Sequence, residues 1–261
     1  DFQWDVSYGY IDPAAFEGVD AIVHLAGAGI ADERWSAARK RELINSRVRS
    51  TAVLYQALST ITHSIKTVVS ASAIGFYGAD TGEQECVETS PAGLDFLADC
   101  TKQWEEAVDQ IATLGIRLAK VRIGLVMGTA GGIFPVISKP IRYYVGANLG
   151  SGKQWQSWIH INDLVRIFNE LLINSSLSGT YNGVAPEPIR AGEMNKQIAK
   201  ALHRPFFLPS IPGFLLRLVL GEMACLVLGG SRVSSAKIEK DAAFSFTFVR
   251  FEEALKELVH V

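Results

Sequence analysis

Two hydroxyl side chains lie at the end of a predicted strand in the stretch "TVVSASAIGFYGAD", residues 67–80. Ser72 stands where the apolar run gives way to small residues, and Tyr77 follows on the loop that leaves the sheet. A Ser and a Tyr at a strand end suggest an oxidoreductase. Adding hydride to a carbonyl leaves an oxyanion that must be protonated, so such an enzyme needs one group that orients the oxygen and an acid that supplies the proton. We predict Ser72 as the orienting group, with Ser70 as second candidate. Tyr77 is predicted either to donate the proton or to form part of the pocket wall.

His160, in the stretch "SWIHINDL", is the other side chain suited to acid/base chemistry, because imidazole titrates near neutral pH. We include it among the predicted catalytic residues; the alternative is an architectural role, with Asp163 beginning the next helix. Trp155 and Trp158 either stack on a substrate ring or fill the core between two lobes. His24 is expected to be a buried core histidine, and because the remaining histidines are scattered we predict no metal site.

These side chains need a sheet and helices to position them. Apolar runs predict strands at residues 20–29, 65–70 and 116–128, and helices are predicted at residues 32–58 and 94–114. This alternation indicates a parallel α/β sheet with helical crossovers. All three strands end in small residues, and in such a sheet these ends line one crevice. The sequence therefore predicts a nucleotide pocket at the carboxyl ends of the strands.

The second half of the chain has a different pattern. Residues 128–160 are rich in glycine and aromatic residues, which favours a substrate-side loop and lobe. A helix is expected to begin near Asn162 or Asp163, followed by a short strand at "GTYNGV" and a helix at "RAGEMNKQIAKALHR". We predict two domains, residues 1–175 with the sheet and residues 176–261 as a smaller, mainly helical, substrate-side lobe.

Composition restricts the class of protein further. With 261 residues and 48% hydrophobic residues the chain can bury a full core, and a net charge of −2 without a Lys/Arg cluster predicts no nucleic-acid partner. The apolar residues 211–230 carry Arg217 and Glu222, so a packed helix or helix pair is predicted there and no membrane span. Three widely spaced cysteines suit a reducing compartment, and a cytoplasmic location is predicted. The missing start Met favours a preceding segment that this sequence lacks.

Several motifs together resemble one family. They are "DAIVHLAG", "SRVRST", "SASAIGFYG", "WEEA", "VRIGLVMGTAGG", "GSGKQWQSWIHINDLV", "GTYNGVAPEPI" and "IPGFLLRLVLGEMACLVLGG", and they run in order over essentially the whole chain. The sequence is similar to the atypical extended short-chain dehydrogenase/reductases of the epimerase family. This resemblance implies a Rossmann-type doubly wound parallel sheet with a small, mainly helical C-terminal lobe. It also implies an initial βαβ portion with a glycine loop, which this sequence lacks, so weakened cofactor affinity is expected.

The resemblance also implies a cofactor site. NADP is favoured, with NAD as the alternative, and a strand-end backbone and a guanidinium suit ribose and phosphate oxygens. The cofactor-facing positions implied are Leu25, Ala26, Gly27, Glu42, Arg47, Ser70 and Val126. For Arg47, an ion pair on the helix surface is the alternative.

One expected motif is missing. Active short-chain enzymes carry a Tyr with a Lys four residues later, and none of the seven tyrosines here has a Lys at that spacing. In the helix where the pair is expected, Phe96 and Leu97 occupy the neighbourhood of the Tyr, and Lys102 has Ala98 one turn before it. We predict an NAD(P)-binding, epimerase/dehydratase-like oxidoreductase for an unknown small molecule or nucleotide sugar, monomeric or homodimeric. A non-catalytic NADP(H)-binding sensor or interaction protein is the alternative, and a structural scaffold is a third.

Overall fold

The computed structural model describes residues 1–259, so His260 lies outside the described residues. Short strands and longer helices alternate along the chain. The strands are β1 (Trp4–Asp5), β2 (Tyr10–Ile11), β3 (Ala21–His24), β4 (Thr67–Ala73), β5 (Glu85–Cys86), β6 (Arg117–Ile123), β7 (Leu125–Met127), β8 (Trp155–Gln156), β9 (Trp158–His160), β10 (Gly179–Gly183), β11 (Ile189–Arg190) and β12 (Arg232–Val233). The helices are α1 (Ala37–Thr60), α2 (Phe96–Asp109), α3 (Phe134–Arg142), α4 (Ile161–Ile173), α5 (Ala191–Ala201), α6 (Gly213–Leu220), α7 (Cys225–Leu228), α8 (Ala236–Ala242) and α9 (Phe251–Val259).

The central sheet has the strand order β10-β6-β4-β3, and all its neighbouring strands are parallel. Parallel neighbours need crossover connections, and α1 supplies the one between β3 and β4 while α2 supplies the one between β4 and β6. The side chains of Lys120 and Arg122 reach α2, whereas Arg117 bonds to carbonyls at the end of α4. Because successive residues of a strand point to opposite faces, α2 and α4 cover opposite faces of the sheet. The predicted α/β class with a parallel sheet is confirmed.

Two apolar cores hold the molecule together. The larger lies between the central sheet and α1, α2 and α4, with Val68, Val121 and Ile167 fully buried. The smaller joins α3, α5 and α9, where the buried Trp158 ring meets Phe251 edge-on with centroids 5.1 Å apart. Trp158 therefore fills a core, as one of its two interpretations stated, and the C-terminal part of the chain is mainly helical.

The structure corrects one of the sequence-based elements and adds detail to another. The strand predicted at residues 116–128 is divided at Gly124, because β7 pairs with β9 and leaves the central sheet. A side chain at Gly124 would collide with the backbone carbonyl of Ser157, so glycine is needed at this crossing. The glycine-rich segment after Gly128, predicted as a substrate-side loop and lobe, contains the helix α3.

The C-terminal half otherwise follows the predicted order of elements. Residues 211–230 contain the predicted helix pair, α6 and α7, but neither helix has a buried residue, so the prediction that they pack is not met. No described helix is long and apolar enough to cross a membrane. The strand β10 lies in the central sheet although it follows residue 175, and the domain boundary stays a prediction.

Candidate functional site

A cavity of about 280 Å³ lies at the carboxyl ends of β4 and β6, and we call it the central cavity. Residues from both strand ends, from α1 and α2 and from the segment around α7 line it. The lining residues include Arg47, Ala73, Leu97, Thr101, Trp104, Leu125, Gln156 and Leu226. A crevice at this place is where open α/β sheets bind their ligands.

The wall beside the strand ends is almost without titratable groups. Leu97 and Thr101 lie one turn apart on α2, and the Thr101 hydroxyl donates to the Leu97 carbonyl at 2.8 Å. These two positions have the four-residue spacing expected of a Tyr and Lys pair, and they face the cavity next to Ala73. Among the described residues, those lining the cavity include no Tyr, Lys, His, Asp or Glu. Burial raises the pKa of the lining thiols Cys100 and Cys225, so both stay protonated at neutral pH.

Arg47 is the one charged side chain among the lining residues that the structure describes. Its guanidinium lies 5.1 Å from the Trp104 ring centre and donates to the Leu43 carbonyl at 2.9 Å. Burial lowers the pKa of Arg47, yet a guanidinium stays charged at neutral pH. The buried Trp104 Nε1 has no hydrogen-bond partner among the described residues. Because an arginine carries five N–H donors, this wall offers several donors to an oxygen-rich ligand.

Gln156 supplies a further polar group at the cavity. It lies on β8, and no hydrogen bond joins its side-chain amide to another described residue. An amide N–H can hold a carbonyl oxygen on which negative charge develops. The neighbouring Trp155 is occupied differently, because its N–H donates to Glu83 at 3.1 Å and Arg190 covers its ring at 3.7 Å.

The structure places the other predicted cofactor residues around the end of β3. Leu25 is 62% exposed, and Gly27 lies against the Arg47 side chain, which a Cβ on Gly27 would approach to 3.1 Å. Ala26 is partly buried between them. Glu42 pairs with Arg39 at 2.9 Å and does not line the central cavity.

The last two predicted cofactor residues, Ser70 and Val126, form hydrogen bonds within the chain. The Ser70 hydroxyl is buried, donates to the Ala71 carbonyl at 3.0 Å and lies 3.1 Å from His24 Nδ1. Val126 is in β7, where its carbonyl accepts from Ile133 N. Of the predicted cofactor set, Arg47 alone lines the central cavity in the described part of the chain.

Ser72 and Tyr77 lie in a buried cluster that we call the polar network: Ser72, Tyr77, Glu105, Arg122 and Asn182. Arg122 donates Nε and Nη2 to the two Glu105 carboxylate oxygens at 2.8 and 2.9 Å. The Ser72 hydroxyl donates to Glu105 at 2.6 Å. Tyr77 donates to Asn182 Oδ1 at 2.7 Å and accepts from Arg122 Nη1 at 3.0 Å. Ser72, Arg122 and Asn182 stand side by side on β4, β6 and β10.

The network fixes the charge of its members. Burial acts to raise the pKa of Glu105, but the hydrogen bonds and charge of Arg122 outweigh it and hold the pKa below its usual range. Burial raises the pKa of Tyr77 to about 12, although Arg122 acts in the opposite direction. Glu105 is therefore ionised and Tyr77 protonated at neutral pH. The catalytic roles of Ser72 and Tyr77 stay predictions, and neither lines the central cavity.

His160 lies apart from both features. It is 2% exposed, its Nδ1 accepts from Asn162 N at the start of α4, and its ring centre is 4.2 Å from that of Phe248. Burial lowers its pKa, against the charges of Glu257 and Asp163. His160 caps α4 in this structure, and its catalytic role stays a prediction. No group of three or more potential metal ligands occurs within residues 1–259.

Comparison with known families defines the class of protein. The model of the NAD dependent epimerase/dehydratase family matches residues 12–182, and a domain of unknown function, DUF1731, matches residues 211–258. The chain belongs to the NAD dependent epimerase/dehydratase family. The resemblance stated from the sequence motifs is thereby confirmed.

Individual relatives are similar over most of the chain. The chain is 38% identical over 246 residues to the chloroplastic epimerase family protein SDR39U1 homolog of Arabidopsis thaliana, covering 93% of this chain and 69% of that protein. The crystal structure of human epimerase family protein SDR39U1 (isoform 2) with NADPH is similar with a TM-score of 0.85 and 30% identity, over 93% of this chain and 82% of that one. A nucleoside-diphosphate sugar epimerase from Corynebacterium glutamicum is similar with a TM-score of 0.79 and 28% identity, over 99% and 50%.

Proposed function

We propose that the chain binds NADP(H) with its nicotinamide end in the central cavity and acts as an oxidoreductase of this family. The observation that carries the proposal is the cavity itself, which lies at the ends of parallel strands and has on its wall the Arg47 guanidinium and the Trp104 N–H, which has no partner among the described residues. The human relative with NADPH supports NADP over NAD, which is present in the structure of a UDP-glucuronic acid 4-epimerase of similar fold. When bound, NADPH would supply the hydride for reducing a carbonyl.

The chain's own side chains would then act in three ways. Arg47 and the Trp104 N–H bind cofactor oxygens, because a guanidinium and an N–H without a partner among the described residues lie on the same wall. Ala73 and Leu97 form a small apolar surface that excludes water from the reacting atoms. Gln156 holds the carbonyl oxygen of the substrate through its amide N–H.

The described lining residues include no carboxyl, phenol or imidazole, so the proton that converts the oxyanion into the alcohol would come from solvent water. The thiols of the wall stay protonated near neutral pH because burial raises the pKa of each. We expect turnover to be flat between about pH 6 and 8, because the described residues that line the cavity include no carboxyl, phenol or imidazole that could titrate there. A bell-shaped profile would instead indicate an acid brought in from outside the cavity.

Cofactor binding is measured by calorimetric titration of NADPH and NADH up to millimolar concentration. Arg47→Ala should weaken NADPH binding by about tenfold or more, since it removes charged hydrogen bonds. Arg49→Ala, on the exposed side of the same helix, is the matched control and should leave the affinity unchanged. Failure of both dinucleotides to bind the wild type would overturn the proposal.

A second candidate is the non-catalytic NADP(H)-binding sensor. The observation that favours it is the position of Leu97 and Thr101, which leaves the wall without a Tyr and Lys pair. A panel of ketones and aldehydes separates the two candidates: NADPH oxidation that Gln156→Leu suppresses supports the enzyme. NADPH binding without any turnover across the panel supports the sensor.

Location and assembly belong to the same proposal. The described cysteines Cys86, Cys100 and Cys225 are unpaired, which suits a reducing compartment such as the cytoplasm. A monomer or homodimer is proposed, and size-exclusion chromatography with light scattering measures it directly.

A further inference from the structure

A second cavity of about 260 Å³ adjoins the central cavity, and we call it the side cavity. The two share Leu125, Gln156 and Leu226 as lining residues. Residues of α3, α5 and α7 line the side cavity, together with residues 145–156 and Ile211. A molecule whose reacting atoms lie in the central cavity can therefore extend past Gln156 into the side cavity.

The chemistry of the side cavity is apolar. Side chains such as Ile137, Val145, Met194 and Ile211 line it, and among the described residues no Lys, Arg, His, Asp or Glu does. Its volume exceeds the roughly 150 Å³ of an apolar cavity that holds benzene. It can therefore take a ring or an alkyl chain of several carbon atoms.

A nucleoside diphosphate does not match this chemistry. Buried phosphates need several charged or amide donors, because an unpaired buried charge is very costly. The nearby cations are already engaged: Arg190 pairs with Glu83 at 2.6 Å, and Arg232 lies 3.4 Å from Glu85. Arg47 is thus the one cation lining either cavity within residues 1–259, and the proposed function assigns it to the cofactor.

One polar group of the side cavity lacks a partner. Gln154 Nε2 donates to the carbonyls of Leu149 at 3.1 Å and Val227 at 2.8 Å, which fixes the orientation of the amide. Gln154 Oε1 is consequently left as a buried acceptor with no partner among the described residues. A ligand hydroxyl or amide N–H would satisfy it.

We infer that the substrate is a carbonyl or alcohol compound with an apolar body and a hydrogen-bond donor, and that it is not a nucleotide sugar. The inference rests on the proposed function, because it assigns the reacting end of this molecule to the central cavity. The apolar body fills the side cavity, and its donor bonds to Gln154 Oε1.

The primary alcohols butanol, hexanol and octanol serve as probes, with binding measured by calorimetry on the full chain. Affinity should rise about fourfold for each added methylene group, because each buries further apolar surface. Methyl heptyl ether has the same atoms as octanol but no donor, and it should bind about fivefold more weakly. UDP-glucose should not bind at millimolar concentration.

Two variants localise the effect. Val145→Trp places a large ring at the side cavity and should reduce octanol affinity more than tenfold, whereas Val165→Trp on α4 should not. The two valines are 61% and 59% exposed, so both variants should fold, which thermal unfolding verifies. Gln154→Leu should remove the preference for octanol over the ether.

The outcomes separate this inference from the proposed function. Equal affinities along the alcohol series, octanol binding unaffected by Val145→Trp, or tight binding of UDP-glucose would each overturn the inference. NADPH is titrated on the same samples: NADPH binding without octanol binding overturns the inference alone. Octanol binding without NADPH binding supports the side cavity and overturns the proposed function.

Discussion

The polar network and the central cavity are formed by neighbouring residues of the same two strands, yet one is polar and the other is mainly apolar. Ser72 and Arg122 are paired across β4 and β6 and belong to the network, while Ala73 and Ile123, the next pair along, line the cavity. Successive residues of a strand point to opposite faces, so one step along the chain separates the two environments. The hydroxyl and charged side chains are hydrogen-bonded to one another in the network, whereas the central cavity is lined mainly by small and apolar residues.

The two regions also differ in how completely their polar atoms are bonded. Both Glu105 oxygens, the Tyr77 hydroxyl and the Ser72 hydroxyl have partners at normal hydrogen-bond distances. The Trp104 N–H at the cavity has none among the described residues. Buried polar groups are rarely left unsatisfied in native proteins, so the unpartnered Trp104 N–H supports the proposal that a ligand binds in the central cavity.

Breaking the network should give the largest effect. Arg122→Met leaves the Glu105 carboxylate buried without its main partner and should lower the free energy of unfolding by about 3–5 kcal/mol. Lys102→Met on α2 is the control, because Lys102 is 59% exposed and its pair with Glu106 is long at 3.8 Å. Its cost should stay within about 0.5 kcal/mol in urea unfolding. A loss below about 1 kcal/mol for Arg122→Met would show that the network is not structural.

Acid should destabilise the fold through a second buried polar group. Burial lowers the pKa of His24 from 6.5 to about 4, so the folded state binds a proton less readily than the unfolded state. Neutral His24 therefore contributes to the free energy of unfolding, and this contribution is complete above pH 6.5. It is lost as the pH falls towards 4, at about 1.4 kcal/mol per pH unit and about 3 kcal/mol in total.

Urea unfolding at several pH values measures this slope. His24→Leu should reduce it, and His203→Asn, at an exposed position with positive φ that Asn tolerates, should keep it. A slope unchanged in His24→Leu would assign the acid sensitivity to other groups.

Removing one hydroxyl from the network should have a smaller effect. Tyr77→Phe loses the bonds to Asn182 and Arg122 and should cost about 1–3 kcal/mol, because both partners stay buried. NADPH affinity should not change, since Tyr77 does not line the central cavity. Tyr143→Phe, at a 70% exposed tyrosine, is the control for stability. Loss of turnover without loss of stability in Tyr77→Phe would support its predicted catalytic role.

The sequence predicts the framework well and the site only in part. Apolar runs and helical spacing are local signals, so the strands around Ile22 and Val69 and the helix containing Trp104 were predictable. Ser72 and Tyr77 were predicted from their residue types. Whether Ser72 or Ala73 faces the cavity depends on the register of β4 in the sheet, which residue type does not indicate. Strict alternation along β4 and the four-residue spacing of Leu97 and Thr101 are the signals that could have indicated the wall of the cavity.

Other parts of the site leave no local signal. Glu105 and Arg122 come from a helix and a strand, and only folding shows that their charges neutralise each other. The side cavity is lined by residues from α3, α5 and α7, which are far apart in the sequence. The unsatisfied Gln154 Oε1 depends on which carbonyls Nε2 reaches, and no sequence pattern specifies that.

The central claim is tested most directly by titrating NADPH into two variants of adjacent residues, Ala73→Leu and Ser72→Ala. Because Ala73 lines the cavity and Ser72 belongs to the polar network, Ala73→Leu should weaken NADPH binding more than tenfold and Ser72→Ala should leave it nearly unchanged. Thermal unfolding confirms that both variants are folded. The opposite pattern, with binding lost in Ser72→Ala and kept in Ala73→Leu, would contradict the account.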